Sequence, residues 1–345
     1  MPEDLLERYI VQRLRASPGP VTHFEWHGGE PTLLGLDYFR LVVRMQNEHC
    51  PPGRSITNGI QTNGLLIDEA WAEFLAEQRF SVGLSIDGPA DLHDAFRRTA
   101  AGEGTHERAC SAWWLLRARG VFCNALCVLH ARNVTAPDRV YGFFRGLGTS
   151  YLQFLPLVAC TEEGASPAAA PAEAIGEFLC RVFDRWIRED VGRLVIQAFD
   201  EALRPIYGIP HALCIHRPTC GDVAVLEHDG GFYACDHFVD PGHLIGNLRD
   251  RSLADLGSDP RLAAFGRAKQ DTLPRACREC DVLSSCNGGC PKDRRPAAQG
   301  GAKGGEQGLN ILCPAYKAFF RHSRPGLTRL AAHMKEGRSL RAFRA

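Results

Sequence analysis

The sequence has no excess of charge of either sign, since Lys and Arg number 40 and Asp and Glu also number 40. A balanced chain carries no global field to draw it to nucleic acid or an anionic membrane, so neither is expected as a partner. It has no apolar run approaching the roughly 18 residues of a membrane-spanning helix. Its opening, Met1-Pro2-Glu3-Asp4, is acidic where a secretory signal is basic and then apolar. These absences read as a soluble, cytoplasmic protein. Without an export signal, the 14 cysteines are poorly explained as a disulfide scaffold, because the cytosol keeps thiols reduced. Metal ligation becomes their leading use. At 345 residues the chain is long enough for one enzyme-sized domain, or for a large domain with an appendage.

The first half alternates. Leu5, Leu6, Tyr9, Ile10 and Leu14 recur at helical spacing. Short β-prone runs follow at Val21–Trp26, Ser55–Thr62, Phe80–Ile86, Val121–Leu129 and Tyr151–Leu155. Amphipathic helical stretches lie between them at Leu36–Glu48, Asp68–Glu77, His106–Arg119 and Ala136–Leu147. Alternation of this kind predicts an α/β fold with a parallel sheet and outer helices, barrel-like or open. The first element is a helix that would ordinarily cross over from a preceding parallel strand, and no such strand precedes it. The Ala- and Pro-rich segment Glu162–Ala174 breaks the pattern, and Ala172–Arg188 reads as a helix behind it. From Cys214 the composition turns to Cys, Gly and Pro, as expected where metal sites replace a hydrophobic core. Val223–Cys235 reads as a hairpin turning at Asp229-Gly230-Gly231, and Arg294–Gly308 as a low-complexity, mobile loop.

Eight cysteines fall after residue 213: Cys214-x5-Cys220-x14-Cys235, then Cys277-x2-Cys280-x5-Cys286-x3-Cys290, then Cys313. Eight thiolates satisfy two four-cysteine cubane clusters without remainder, since each iron needs one soft terminal ligand. Spacing alone leaves two structural zinc sites equally open, because C-x2-C is also a zinc knuckle. The other six, Cys50, Cys110, Cys123, Cys127, Cys160 and Cys180, are scattered through the α/β part and are expected to bind no metal.

The C-terminal cysteine order resembles the SPASM domain of radical S-adenosylmethionine (radical SAM) enzymes, which holds two auxiliary [4Fe–4S] clusters. That resemblance favours iron–sulfur over zinc. It implies Cys214, Cys220, Cys235 and Cys290 for the first cluster and Cys277, Cys280, Cys286 and Cys313 for the second. The N-terminal part resembles the same superfamily through Gly28-Gly29-Glu30-Pro31, Gln61-Thr62-Asn63-Gly64 and Ser85-Ile86-Asp87-Gly88-Pro89. All three stand at C-terminal ends of expected strands, the face where α/β barrels build active sites. The resemblance implies SAM contacts at Gly28, Gly29, Glu30 and Ser85, with Arg108 as a weaker carboxylate partner. Longer strings, Trp26-His27-Gly28-Gly29-Glu30-Pro31-Thr32-Leu33, His93-Asp94-Ala95-Phe96-Arg97, Gln153-Phe154-Leu155-Pro156, Cys235-Asp236-His237-Phe238-Val239 and Gly288-Gly289-Cys290-Pro291-Lys292, resemble the anaerobic sulfatase-maturating enzymes. The expected architecture is a partial radical SAM (β/α)6-type barrel lacking its first strand over 1–161, a linker and helical segment over 162–213, a SPASM domain over 214–322 and a helical tail over 323–345.

The family also carries a C-x3-C-x2-C loop for a radical-generating [4Fe–4S] cluster, and no such run occurs here. Together with the missing strand, this reads as a truncated start, leaving a chain that should not cleave SAM as written. Were the front restored, the resemblance implies removal of a Cβ hydrogen from a Cys or Ser of an unfolded sulfatase by a 5′-deoxyadenosyl radical. Loss of a proton and an electron would then give an aldehyde from Ser, which is formylglycine, or a thioaldehyde from Cys, which water hydrolyses to formylglycine with release of sulfide. Asp236 would be the base and the auxiliary clusters the electron acceptors, with a donor such as flavodoxin or ferredoxin supplying the reducing electron. His27 stands as a weak substrate contact, His93 and Arg97 as a loop anchor or helix cap, and Trp113-Trp114 as packing residues. Lys292 and Arg294 read as balancing cluster charge. Two other readings compete: maturation of a short precursor peptide, and a non-catalytic iron–sulfur or zinc scaffold.

Overall fold

The structure, a computed structural model, describes residues 1–158, 160–161, 164–294 and 308–344. Five strands, β1 (Val21–Trp26), β2 (Ser55–Thr62), β3 (Ser81–Ser85), β4 (Phe122–Leu129) and β5 (Tyr151–Pro156), lie parallel in sequential order. Helices Leu36–His49, Glu69–Glu77, His106–Ala118 and Pro137–Leu147 connect them, as short right-handed crossovers dictate. A sixth strand, Val195–Ile196, pairs parallel with β5. The expected α/β class is therefore the observed one.

One face of the sheet is apolar because alternate side chains along each strand point to it. Ile60, Val82, Leu84, Ala125, Leu152 and Phe154 meet Phe39, Trp71, Trp113, Phe144 and Phe178 of the helices in one core. Trp113 is buried and donates its Nε1–H to Leu147 O at 3.1 Å, whereas its neighbour Trp114 is 52% exposed. Packing thus accounts for one tryptophan of the pair.

This core reaches beyond the sheet. Helices Ala172–Glu189 and Gln197–Tyr207 pack against a long C-terminal helix, Cys313–Lys335. Phe199 bridges Phe183 and Phe319, with both ring centroids 5.3 Å away. Gly176 lets the first of these helices approach the backbone of Ala315, where a methyl would crowd it. These two helices therefore supply core side chains, and Cys313–Lys335 runs continuously past residue 322.

The cysteine-rich region has a core of its own. Val225–Leu226 and Gly231–Tyr233 form the expected hairpin, and a third strand, Leu244–Asn247, pairs antiparallel beside it. Phe232, Ala234, Ile245, Leu248, Leu256 and Leu262 pack beneath it together with Leu5. The first helix, Glu3–Ala16, ties this hairpin cluster to the sheet. Its Leu6, Ile10 and Leu14 pack on Phe24 and Val42, while Gln12 Oε1 accepts the Leu253 N–H at 2.6 Å. The expected loop Arg294–Gly308 lies outside the described residues except for its two ends.

Candidate functional site

The loops at the C-terminal ends of the parallel strands are joined by one carboxylate. After β1 the chain turns through Gly28 at φ +93° and Gly29 at φ +51°, conformations that a Cβ disfavours. The turn delivers Glu30, whose Oε1 accepts from Thr32 N at 3.1 Å, Thr32 Oγ1 at 2.5 Å and Thr62 Oγ1 at 2.7 Å. Its Oε2 accepts from Asn63 N at 2.8 Å. Glu30 thus binds the loop after β1 to the Gln61-Thr62-Asn63-Gly64 turn. Ser85 ends β3 beside Leu126, and Arg108 donates to Leu65 O at 2.7 Å. His27 is exposed and has no hydrogen-bond partner among the described residues.

Asp87 organises the next loop. It is 2% exposed, and its carboxylate receives Arg97 Nε at 2.5 Å, Arg97 Nη2 at 3.2 Å and Val128 N at 2.8 Å. The Asp87 N–H donates to His93 Nδ1 at 3.1 Å, so the His93 proton sits on Nε2, toward Thr105 Oγ1 at 3.0 Å. Burial pushes the His93 pKa down to about 4, keeping the ring neutral. His93 and Arg97 are therefore loop anchors. The cap of helix His106–Ala118 comes from Asp94, whose Oδ1 accepts from Thr105 N and His106 N at 2.8 and 2.9 Å.

The eight C-terminal cysteines gather into two groups. Cys214 and Cys220 both raise the pKa of Cys290, and Cys290 raises that of Cys235. In the other group Cys277, Cys280 and Cys313 all act on Cys286, and the four line a single cavity with Tyr316 and Lys317. Burial, first among the causes, pushes Cys235 and Cys286 up to about 12 and Cys290 up to about 11. Two clustered sets of four sulfur donors, each partly withdrawn from water, suit two four-iron clusters. Cys110, Cys123, Cys127 and Cys180 join neither set, and burial raises their thiols as well. The Cys160 side chain is outside the described residues.

Asp236 stands exposed at the edge of the first group, with Cys235 Sγ donating to its Oδ1 at 3.2 Å. Cys235, Asp236 and His237 offer ligand atoms within 4.8 Å of one another, and His237 Nδ1 lies 3.6 Å from Cys290 Sγ. Sequence reading passed over His237 although it adjoins the cysteine and aspartate. It also passed over Lys269, whose ammonium is held by Cys214 O at 2.6 Å and Ile215 O at 2.9 Å.

Residues 2–136 match the radical SAM superfamily, and residues 218–281 match an iron–sulfur cluster-binding domain, SPASM. The chain is 36% identical to a serine-type anaerobic sulfatase-maturating enzyme of Bacteroides thetaiotaomicron, over 94% of this chain and 81% of the relative. It is 31% identical to a cysteine-type anaerobic sulfatase-maturating enzyme of Clostridium perfringens, over 97% and 90%. A solved structure, native anSMEcpe with bound AdoMet and Cp18Cys peptide, superposes with a TM-score of 0.88 at 30% identity, covering 97% of this chain and 92% of that one.

Proposed function

The chain belongs to the anaerobic sulfatase-maturating enzymes of the radical SAM superfamily, and from that premise we propose how its residues serve the oxidation of a sulfatase Cys or Ser to formylglycine. Cys214, Cys220, Cys235 and Cys290 hold one auxiliary [4Fe–4S] cluster, and Cys277, Cys280, Cys286 and Cys313 hold the other. The grouping of the thiols supports this division. The cofactors, when bound, supply the hydrogen-abstracting radical and the electron acceptor. The protein binds and orients. Gly28, Gly29 and Glu30 shape the loop that receives the amino group of SAM, while Ser85 and Arg108 face its carboxylate.

Asp236 is the base. It removes the proton from the substrate's thiol or hydroxyl as the carbon beside it is oxidised, which requires a carboxylate exposed to substrate yet next to an electron acceptor. The observation carrying this reading is the exposed Asp236 carboxylate 3.2 Å from Cys235 Sγ. His27, exposed beside Gly28, contacts the substrate peptide. The substrate is an unfolded sulfatase segment with a Cys or Ser followed by Pro and Arg, and a flavodoxin or ferredoxin supplies electrons. The 345 residues contain no C-x3-C-x2-C run, so the residues that would hold a radical-generating cluster are not among those assigned here.

The test uses the native protein, purified anaerobically from its source, with SAM, a chemical reductant and a sulfatase peptide. Mass spectrometry should find formylglycine, and Asp236→Asn should still form 5′-deoxyadenosine while losing the aldehyde. Undiminished aldehyde from Asp236→Asn would exclude it as the base. Absence of formylglycine with both Cys and Ser peptides, in a preparation that does form 5′-deoxyadenosine, would exclude the sulfatase reading, whereas absence of 5′-deoxyadenosine would report only on the radical-generating cluster.

A further inference from the structure

Two cations in the cysteine-rich region have no anion among the described residues. Lys269, on helix Pro260–Asp271, is 1% exposed, and lysine is almost never fully buried unless paired. Its partners are the carbonyls of Cys214 and Ile215 alone, and of its three N–H donors the third has no acceptor among the described residues. Arg294 repeats the pattern. Its Nη1 donates to Thr272 Oγ1 at 3.1 Å and its Nη2 to Lys269 O at 2.8 Å, while Nε is buried without a partner. The adjacent Asp293 does not serve, because its carboxyl is driven toward the neutral form by burial and its nearest cation is Lys292 at 4.0 Å.

Cysteine-bearing turns flank both groups. Lys269 clamps the turn carrying Cys214, and one turn earlier on the same helix Gly266 O accepts from Cys220 N at 3.1 Å. Burial works against both charges while the neighbouring cysteines favour them, and Arg294 Nη2 stands against Gly288, between Cys286 of the second set and Cys290 of the first. Lys269 therefore faces the first set, and Arg294 stands between the two.

We propose that Lys269 is the fixed counter-ion of the first auxiliary cluster and Arg294 a cation shared by both, together setting the clusters' reduction potentials. The inference rests on the cluster assignment above. A four-thiolate cubane is an anion, and an added electron makes it more negative. A buried cation at contact range favours the reduced form, so the potential rises and the cluster becomes a better electron acceptor. The backbone bonds of Lys269 hold that charge at the turn that carries Cys214. The same bonds explain why an ammonium tolerates a site without a carboxylate.

The experiment is an EPR-monitored redox titration of the full chain reconstituted anaerobically with iron and sulfide, with Cys235→Ala and Cys277→Ala identifying the two signals. Lys269→Met should shift the first cluster alone to a more negative potential, and Arg294→Gln should shift both. Lys269→Arg should stay near wild type. If Lys269→Met fails to retain the first cluster, halving the iron content while Lys269→Arg keeps it, the charge is again supported. Full iron in Lys269→Met with both potentials unmoved would overturn the proposal, as would equal loss of the first cluster in Lys269→Met and Lys269→Arg. Failure of the cluster assignment itself is read separately, in a wild-type chain that takes up zinc instead of iron and sulfide.

Discussion

At the scale of single residues, the Asp87 loop depends on an imidazole that must stay neutral. His93 accepts the Asp87 N–H through Nδ1, and protonating that nitrogen would remove the acceptor. Its pKa falls from 6.5 to about 4, with burial the leading cause, so the unfolded chain takes up this proton before the folded one. The associated stability is therefore complete above about pH 6.5 and is lost as the pH falls toward about 4. Urea unfolding of wild type and His93→Gln across that window should show a shallower pH slope in the variant. Equal slopes would mean that His93 does not report this linkage. Removing Asp87 acts differently, because Arg97 would be left half-buried without its partner. Asp87→Ala should cost roughly 3–5 kcal/mol, as breaking one side of a buried pair does, and would be read as a drop in the urea midpoint.

At the scale of elements, the helix Pro260–Asp271 positions the first cysteine set through contacts that have no room for side chains. A methyl on Gly266 would collide with the carbonyl of Cys220. Gly266→Ala should push the helix off the Cys214–Cys220 turn, halve the iron content and cost on the order of 1–3 kcal/mol. Iron analysis and a denaturation curve check it, and retention of both clusters would show that the helix can shift without moving Cys220. Nothing in the sequence around Gly266 or Lys269 announces these roles, since a lysine is ordinarily a solvated surface residue and a lone glycine carries no signal of close packing. By contrast, β1 and β2 run over the limits read from their apolar runs, Val21–Trp26 and Ser55–Thr62. Val195–Ile196 and Leu244–Asn247 were not legible, being too short for a period of two to emerge. The helix Cys313–Lys335 was hidden at its start by the cysteine pattern and further on by Pro325, a residue that ordinarily ends a helix but here lies inside an unbroken one. The two cysteine sets were legible as eight donors by number and spacing. Their division came from resemblance, because sequence order interleaves them.

At the scale of the whole molecule, the two cores have unequal means of support. The sheet, its helices and Cys313–Lys335 share a large apolar core, joined at its edge by Val282, Cys280 and Cys286 beside the second cysteine set. The hairpin region has a small cluster around Phe232, Leu248 and Leu256, and the cysteine-bearing turns on either side add little apolar surface to it. Where a core is small, metal binding carries folding free energy, so removing iron should loosen this region first. Hydrogen exchange of the loaded and iron-free chain should show faster exchange over 214–250 and 275–294, with β1 to β5 unchanged. The first helix makes the comparison sharper, because Leu5 packs on the hairpin cluster while Leu6, Ile10 and Leu14 pack on the sheet side. Its own amides should keep their protection, while the Leu253 N–H that Gln12 accepts should exchange faster along with the hairpin region. Loss of protection across the strands as well would mean that the molecule folds as one unit around its clusters.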